Sequence, residues 1–291
     1  MAAFNTGTLK TYYRLTKPGI IYGNLITATG GFLLASKGHI HFLLLLETLI
    51  GISLVIGSGC VFNNYIDRGI DKKMSRTSKR ALVIGDLSSR AAIIYGTVLG
   101  ILGTLILSVY TNWLTVCIGL IAFLVYVVFY GISKRRSVHG TVVGSIAGAA
   151  PITAGYCAVT GQFNGAAVIL FLILVLWQMP HFYSIAMYRF DDYKNAGLPV
   201  LPVKKGMYAT KLRIIIYIIA YAVAVSLLSI FGYAGYSYLV VTLAFALVWL
   251  WLGLKGFRTS NDKLWARRMF FFSLIVIIAL PVMLSLNAYL S

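Results

Sequence analysis

The most informative stretch of the sequence runs from Asn63 to Arg80 and reads NNYIDRGIDKKMSRTSKR. It follows a mostly apolar run, residues 42–62, and holds two of the seven acidic residues of the protein. On a helix Asn63, Asp67 and Asp71 share one face, because each step of four residues advances only about 40° beyond a full turn. Two carboxylates and an amide on one face, with cations just beyond, suit a Mg²⁺ ion that bridges to a phosphorylated ligand. The alternative is a solvated helix end with ion pairs between neighbouring turns.

The composition is that of a polytopic helical membrane protein. The 291 residues are 59% hydrophobic and 11% charged, with a mean hydropathy of +0.87, which excludes an ordinary soluble domain. A net charge of +18 would suggest nucleic acid in a soluble protein. Here the positions of the cations indicate membrane topology instead, so the expected partner is the lipid bilayer and not a nucleic acid.

Nine apolar segments are each long enough to cross a bilayer, at about 20 residues per crossing. They are residues 19–36, 41–63, 91–110, 112–132, 138–158, 165–188, 214–232, 235–254 and 269–290. Of the 25 Lys and Arg residues, 24 fall on one side of the membrane in this arrangement and 1 on the other. The positive-inside rule then places the N-terminus in the cytoplasm and the C-terminus outside.

The connections between these segments differ strongly in length. The long ones, residues 64–90, 189–213 and 255–268, all lie on the predicted cytoplasmic side, and the outer connections are short. Neighbouring segments must therefore form antiparallel pairs. We expect an all-α integral membrane protein, a nine-transmembrane-helix bundle in which residues 1–291 form a single domain.

A second polar patch closes the sixth segment and holds Asp191 and Asp192, two more of the seven acids. Both acidic patches lie at the cytoplasmic ends of even-numbered segments and are bordered by Lys and Arg. Together they are suited to clamp one Mg²⁺-diphosphate between them. Lys134, one turn after Tyr130 at the end of the fourth segment, is suited to bind phosphate oxygens. The alternative for the neighbouring cations, Arg135 and Arg136, is a role in topology alone.

Other residues carry weaker signals. His181 is either a hydrogen-bonded structural residue or, beside the acids of the second patch, part of a site. The small residues Gly144 and Gly148, four apart in the fifth segment, predict a close helix approach. The tryptophans near segment ends or in the last connection are predicted to be interface anchors: Trp113, Trp249, Trp251 and Trp265.

These residues resemble the UbiA superfamily of intramembrane prenyltransferases, whose first Asp-rich motif is similar to the Asn63, Asp67, Asp71 series. The match is closer to the haem farnesyltransferase branch. Four stretches carry it: residues 15–18, 63–80, 139–151 and 181–203. The first motif alone indicates only the superfamily, whereas residues 181–203 select the branch. In the second motif of the superfamily, usually Asp-x-x-x-Asp, Asp192 matches the later position and Tyr188 stands at the earlier one, where Arg189 or Asp191 is expected to compensate.

The resemblance implies a fold of UbiA type and a role for each motif residue. Asn63, Asp67, Asp71 and Asp192 would hold Mg²⁺, with Asp191 as a further acid of the catalytic group. Lys72, Arg76, Arg80 and Lys134 would meet a diphosphate, and Tyr130, Arg189 and Lys194 complete the substrate-binding set. Trp177, His181, Tyr183 and Tyr188 are the candidates for the haem side.

The resemblance also implies a reaction, in which the farnesyl group of farnesyl diphosphate is transferred to a vinyl group of haem B. The product would be haem O, with Mg²⁺ assisting ionisation at a cytoplasmic-side site in the inner membrane of a bacterium. A haem A synthase or a terminal oxidase assembly would be a partner. The alternatives are a transferase with an aromatic, quinone-precursor or chlorophyll-type acceptor, a transporter or lipid-diphosphate flippase, and a structural assembly subunit.

Overall fold

The computed structural model describes residues 6–290, so the ends of the predicted single domain, residues 1–5 and 291, lie outside the described part. Within it the helices are α1 Thr6–Leu15, α2 Pro18–Ser36, α3 Phe42–Asp71, α4 Ala81–Ile84, α5 Ser89–Tyr110, α6 Trp113–Leu124, α7 Gly131–Arg136, α8 Gly140–Thr160, α9 Gly165–Tyr188, α10 Phe190–Asn195, α11 Leu201–Ile230, α12 Tyr236–Lys255 and α13 Asp262–Leu290. A π-helical turn, Val125–Tyr130, joins α6 to α7, and a 3₁₀ turn, Gly256–Arg258, follows α12.

Nine helices in the described residues are long and apolar enough to cross a membrane, which confirms the predicted number. They are α2, α3, α5, α6 with α7, α8, α9, α11, α12 and α13. Their ends on the predicted cytoplasmic side differ from the prediction, because α3 continues to Asp71, α11 already begins at Leu201 and α13 at Asp262. The predicted loops 64–90, 189–213 and 255–268 are therefore partly helical. Charged residues lower the hydropathy there, but a helix can extend beyond the bilayer because its hydrogen bonds are internal.

Two of the short connections begin a new helix with an asparagine cap. The side chain of Asn112 accepts a hydrogen bond from the backbone N–H of Thr115 at the start of α6. Asn164 accepts from Ala166 and Ala167 at the start of α9. Each cap satisfies backbone donors that the first helical turn leaves free. Adjacent spans can consequently reverse within a few residues and pack as antiparallel pairs.

Helices α2 and α8 approach each other closely through their backbones. A Cβ atom at Gly31 would lie 2.1 Å from the carbonyl oxygen of Ile152, and one at Gly155 would lie 2.0 Å from that of Ala28. Only glycine permits this contact. The glycines at 144 and 148 instead make room for side chains, those of Tyr130 and Gln178.

Helix α9 lies at the centre of the bundle and contacts α8, α11 and α13. The prediction that four tryptophans anchor the membrane interface is wrong for two of them. Trp249 and Trp265 are buried in the hydrophobic core that also contains residues of α9. Trp265 donates its indole N–H to the carbonyl oxygen of Leu252 at 2.9 Å, so a buried partner replaces water. Trp113 and Trp251 are exposed, as an interface role requires.

Candidate active site

A cavity of about 860 Å³ runs into the bundle from the end that carries the basic connections. Its mouth is polar and includes Asp67 and Asp71, and one apolar arm reaches Ile52 and Leu107. Ile52 precedes Asp71 by nineteen residues on α3, so the cavity extends about 28 Å along the helix, at 1.5 Å per residue, from its mouth to the end of this arm. A cavity with an anionic and cationic mouth and an apolar arm suits a long amphiphilic ligand with a charged head.

Most of the predicted site residues line this one cavity. They are Asn63, Asp67, Asp71, Arg76, Arg80, Tyr130, Lys134, Trp177, His181, Tyr188, Arg189 and Asp192. Four of the predicted residues lie elsewhere. Lys72 and Lys194 are exposed outside the cavity wall, Tyr183 is buried against Tyr217 with ring centroids 6.1 Å apart, and Asp191 lines a neighbouring cleft.

The polar face of α3 is turned inward. Asn63, Asp67 and Asp71 are only 3%, 8% and 5% exposed. The interpretation as a solvated helix end is therefore wrong, because solvated carboxylates would lie in water. These acids are buried together with cations from other parts of the chain, as buried charge requires.

Each polar group of this face has a cationic partner. Asp67 contacts Lys134, and its other oxygen is 3.1 Å from Arg135. Asp71 accepts a hydrogen bond from Arg80 at 2.6 Å. The cations thus stand beside the carboxylates at the cavity mouth, where they can neutralise a second anion such as a diphosphate.

The π-helical turn Val125–Tyr130 sets the position of Lys134. A π turn inserts one residue into an α-helix and changes the direction of the side chains that follow, and such turns are frequent at functional sites. Here the rings of Tyr126 and Tyr130 stack with centroids 5.6 Å apart, and the Lys134 ammonium lies 4.8 Å from the centroid of Tyr130. The turn therefore brings one aromatic ring and one cation to the carboxylate of Asp67.

The two acidic patches meet across the cavity mouth. Asp192, half-buried on α10, lines the same cavity as Asp67 and Asp71. Its Oδ1 accepts a hydrogen bond from the hydroxyl of Ser75 at 2.7 Å. Ser75 belongs to the segment that follows the first acidic motif, so this contact ties the first motif to the second.

Lys17 is a site residue that the sequence analysis missed. Its ammonium donates a hydrogen bond to Oδ1 of Asn63 at 2.7 Å, and it lines the cavity. Burial lowers the pKa of Lys17 to about 8; the neighbouring cations Arg80 and Lys134 contribute to this shift, and the carboxylate of Asp67 opposes it. Its backbone is left-handed, with φ of 55°, directly before Pro18. The signal was present as a Lys-Pro pair in front of the first span, which contributed to the topology and to the family resemblance, but Lys17 was given no role in the site.

A hydrogen bond between α9 and α13 holds His181 in place. Its Nδ1 lies 2.7 Å from the Ser273 hydroxyl, which donates its only proton to the carbonyl oxygen of Phe270 at 2.5 Å. Nδ1 must then carry a proton, so Nε2 of the neutral imidazole is the free lone pair. The ring also packs on Trp177 and Phe270, with centroid distances of 4.8 and 5.0 Å.

The donor atoms suit a magnesium ion that is shared with a ligand. Within residues 6–290, no three His, Cys, Asp or Glu side chains come together as a complete metal cage. Asp67, Asp71 and Asp192 nevertheless present hard carboxylate oxygens to one cavity mouth. Nδ2 of Asn63 is buried there without a hydrogen-bond partner, so this amide can donate to a phosphate oxygen of the ligand that shares the ion. Magnesium is commonly held by one or two carboxylates plus substrate phosphates, so this arrangement fits it.

Comparison with known proteins identifies the family. The profile of the UbiA prenyltransferase family matches residues 24–275. A protoheme IX farnesyltransferase of Yersinia pseudotuberculosis is 54% identical over 96% of this chain and 95% of that protein. The protein of the same name from Photorhabdus laumondii is 52% identical over 97% of this chain and 96% of that protein.

Solved structures share the fold at low identity. A digeranylgeranylglyceryl phosphate synthase has a TM-score of 0.79 and 21% identity, covering 97% of this chain and 99% of that chain. A UbiA homologue from Archaeoglobus fulgidus, bound to GPP and Mg²⁺, has a TM-score of 0.70 and 16% identity, covering 94% of this chain and 99% of that chain. The chain therefore belongs to the UbiA prenyltransferase family, on the branch of the protoheme IX farnesyltransferases.

Proposed function

We propose that the protein transfers the farnesyl group of farnesyl diphosphate to a vinyl group of haem B and so makes haem O. The observation that carries this proposal is the buried acidic face of α3, flanked by cations, at the mouth of a deep apolar cavity. The branch of the family to which the chain belongs supports the choice of acceptor and donor. Residues 1–291 would act as one catalytic domain.

The cavity mouth binds the diphosphate. Lys134 and Arg80 already stand beside Asp67 and Asp71, and Lys17 beside Asn63. Arg76, exposed at the same mouth, adds a further cation. When bound, Mg²⁺ would be held by Asn63, Asp67, Asp71 and Asp192 together with phosphate oxygens, and it supplies Lewis-acid stabilisation of the leaving diphosphate.

The cations stabilise the charge that develops as the allylic C–O bond breaks. Fixed donors aimed at a leaving anion make a large contribution to catalysis in a site that excludes water. The farnesyl carbon then joins the terminal carbon of the vinyl group, and the adjacent carbon takes the hydroxyl of a water molecule while a proton is released. The apolar arm beside Ile52 and Leu107 holds the farnesyl tail away from bulk water and so protects the allylic cation.

A second arm of the cavity provides the haem side. Trp177, His181, Tyr188 and Phe270 line it, and their rings contact one another. Flat aromatic surfaces suit a porphyrin, and the free Nε2 of His181 is available as a proton acceptor or as a ligand that positions the acceptor. Tyr183 lies one layer behind this surface and supports it through packing.

The active site would face the cytoplasm in the inner membrane of a bacterium. This orientation is supported by the distribution of 24 of 25 Lys and Arg residues on the side of the cavity mouth. The product would pass to a haem A synthase or to the assembly of a terminal oxidase.

The decisive experiment is product analysis. Purified protein in detergent is incubated with haem B, farnesyl diphosphate and Mg²⁺, and haem O is sought by chromatography and mass spectrometry. The double variant Asp67→Asn, Asp71→Asn runs beside the wild type, and its fold is checked by thermal melting. We expect haem O from the wild type and a loss of at least about a hundredfold in the variant, because two carboxylates leave the diphosphate site.

Each outcome distinguishes among the candidates. A folded wild type that binds farnesyl diphosphate but makes no haem O would overturn the proposal and direct attention to aromatic acceptors. Uptake of the diphosphate into vesicles without any product would favour a transporter. Equal haem O from both proteins would leave the reaction standing and contradict the role assigned to the two aspartates.

A further inference from the structure

A second cleft of about 640 Å³ lies beside the main cavity, between the α9–α10 junction and the start of α13. It shares four wall residues with the cavity: Tyr188, Arg189, Asp192 and Phe270. Its remaining wall is formed mainly by the first turns of α13, including Lys263, Arg267 and Phe271. A ligand that filled the second arm of the cavity could therefore extend directly into the cleft and remain in contact with the protein.

The cleft contains three cations that lack a carboxylate partner. Arg189, Lys263 and Arg267 take part in none of the ion pairs among the described residues. Lys263 and Arg267 are four residues apart on α13 and so project from one face. The acids of the cleft, Asp191 and Asp192, lie on α10 and not on α13.

An aromatic surface connects the cleft with the cavity. The ring of His181 contacts Phe270 at a centroid distance of 5.0 Å, and Phe270 contacts Phe271 at 5.2 Å. The Arg267 guanidinium lies 5.7 Å from the centroid of Phe271, and that of Arg189 lies 5.2 Å from the centroid of Tyr188. The cations are thus mounted at the outer edge of a continuous apolar surface.

We propose that this cleft binds the carboxylates of the acceptor, the two propionates of haem B, through Arg267 and Lys263 of α13 with Arg189. This inference rests on the proposed function and extends it to the orientation of the acceptor. Vinyl and propionate groups leave a porphyrin at opposite edges. Propionates held in the cleft therefore turn a vinyl edge inward, towards the diphosphate site at Asp67.

The test compares two ligands and three proteins. The full-length protein in zwitterionic detergent is titrated with haem B and with its dimethyl ester, in which both carboxylates are neutral, and the Soret band reports the Kd. The variants are Lys263→Gln with Arg267→Gln, and Arg268→Gln as the matched control. Arg268 is an exposed neighbour on the same helix that does not line the cleft.

We expect the Kd for haem B to rise by about tenfold or more in the double variant, since a charge-assisted hydrogen bond contributes enough for about tenfold in affinity. The ester should bind weakly and equally to all three proteins, which also shows that the double variant is folded. The KM for farnesyl diphosphate should not change, because Lys263 and Arg267 do not line the main cavity.

Three results would overturn the inference: an unchanged Kd for haem B in the double variant, an equal loss in Arg268→Gln, or tight binding of the ester to the wild type. Loss of bound anionic phospholipid from the double variant, counted by native mass spectrometry, with unchanged haem affinity would make the cleft a lipid headgroup site instead. The proposed function fails separately. Propionate-dependent haem binding without haem O formation would overturn the proposed reaction and support the propionate site in the cleft. Haem O formation with no effect of the variants would support the reaction and overturn the propionate site.

Discussion

Lys17 is a residue whose place in the candidate site could not be predicted from the sequence. Forty-six residues separate it from Asn63, yet its ammonium lies 2.7 Å from the amide oxygen. The left-handed backbone at Lys17, forced on a residue that is not glycine, is costly and is retained where the surrounding structure requires it. We conclude that this conformation directs the side chain into the cavity mouth.

We expect Lys17→Met to lower kcat/KM for farnesyl diphosphate by about tenfold or more, because a charge-assisted hydrogen bond and a cation are lost at the diphosphate end. Haem O formation at varied farnesyl diphosphate concentration provides the measurement. Lys10→Met is the control, since Lys10 is exposed on α1 and does not line the cavity. Equal activity of the two variants would contradict the role of Lys17.

The fourth span, α6 to α7, shows how an irregular turn within a helix positions a side chain of the candidate site. Its π-helical turn is one residue longer than the equivalent α-helix, and Lys134 lies four residues after the end of this turn, on α7. Each residue of an α-helix rotates the chain by about 100°. Removing one residue from the turn would therefore restore a regular helix and turn Lys134 away from Asp67.

Deletion of Val128, an exposed residue of the π turn, should leave the span in the membrane and reduce haem O formation by at least about a hundredfold, since the cation beside Asp67 is displaced by about 100°. Thermal melting checks that the bundle survives, and Val128→Ala serves as the control for loss of the side chain alone. Full activity in a folded deletion variant would mean that the turn has no part in positioning Lys134.

The crossing of α2 and α8 depends on glycine. We expect Gly155→Ala to destabilise the protein by about 1–3 kcal/mol, because the new Cβ would overlap the backbone of Ala28 and the helices would have to separate. The matched control is Gly69→Ala on α3, where a Cβ would meet nothing within 4 Å. This control should be neutral or stabilising by up to about 1 kcal/mol. Melting temperatures in one detergent measure both, and a Gly155→Ala protein as stable as the wild type would be the contrary result.

For the molecule as a whole, charge and topology predict the side of the membrane on which the proposed active site lies. The cavity mouth, the paired acids and cations of the site and the long connections all lie at one end of the bundle. An odd number of spans puts the two termini on opposite sides. The orientation of the bundle therefore decides which compartment supplies farnesyl diphosphate.

We expect a green fluorescent protein fused after Ser291 to remain dark and alkaline phosphatase at the same position to be active, because the positive-inside rule places the C-terminus outside. Fusions after Ser137, in a basic connection next to Lys134, should give the opposite result. Bright fluorescence from the C-terminal fusion would reverse the predicted orientation and place the cavity mouth outside the cytoplasm.

Hydropathy, charge and residue spacing along the chain were enough to predict the class of structure, the number of spans and the first acidic motif. Hydropathy and the alternation of Lys and Arg are properties of composition along the chain, and the four-residue spacing of Asn63, Asp67 and Asp71 is local to one helix. The predicted helix ends were less accurate, since α11 and α13 begin in charged segments that a hydropathy count assigns to loops.

The contacts between distant side chains of the site are properties of the folded bundle. Lys134 is 67 residues from Asp67, and Ser75 is 117 residues from Asp192, so neither contact follows from any local spacing. The tertiary structure also separated Asp191, Lys72, Lys194 and Tyr183 from the main cavity and buried Trp249 and Trp265. Such contacts depend on how far each helix rotates about its axis and on how closely it packs against its neighbours. The glycines at 31 and 155 and the π turn set this rotation and packing through steric fit and not through polarity.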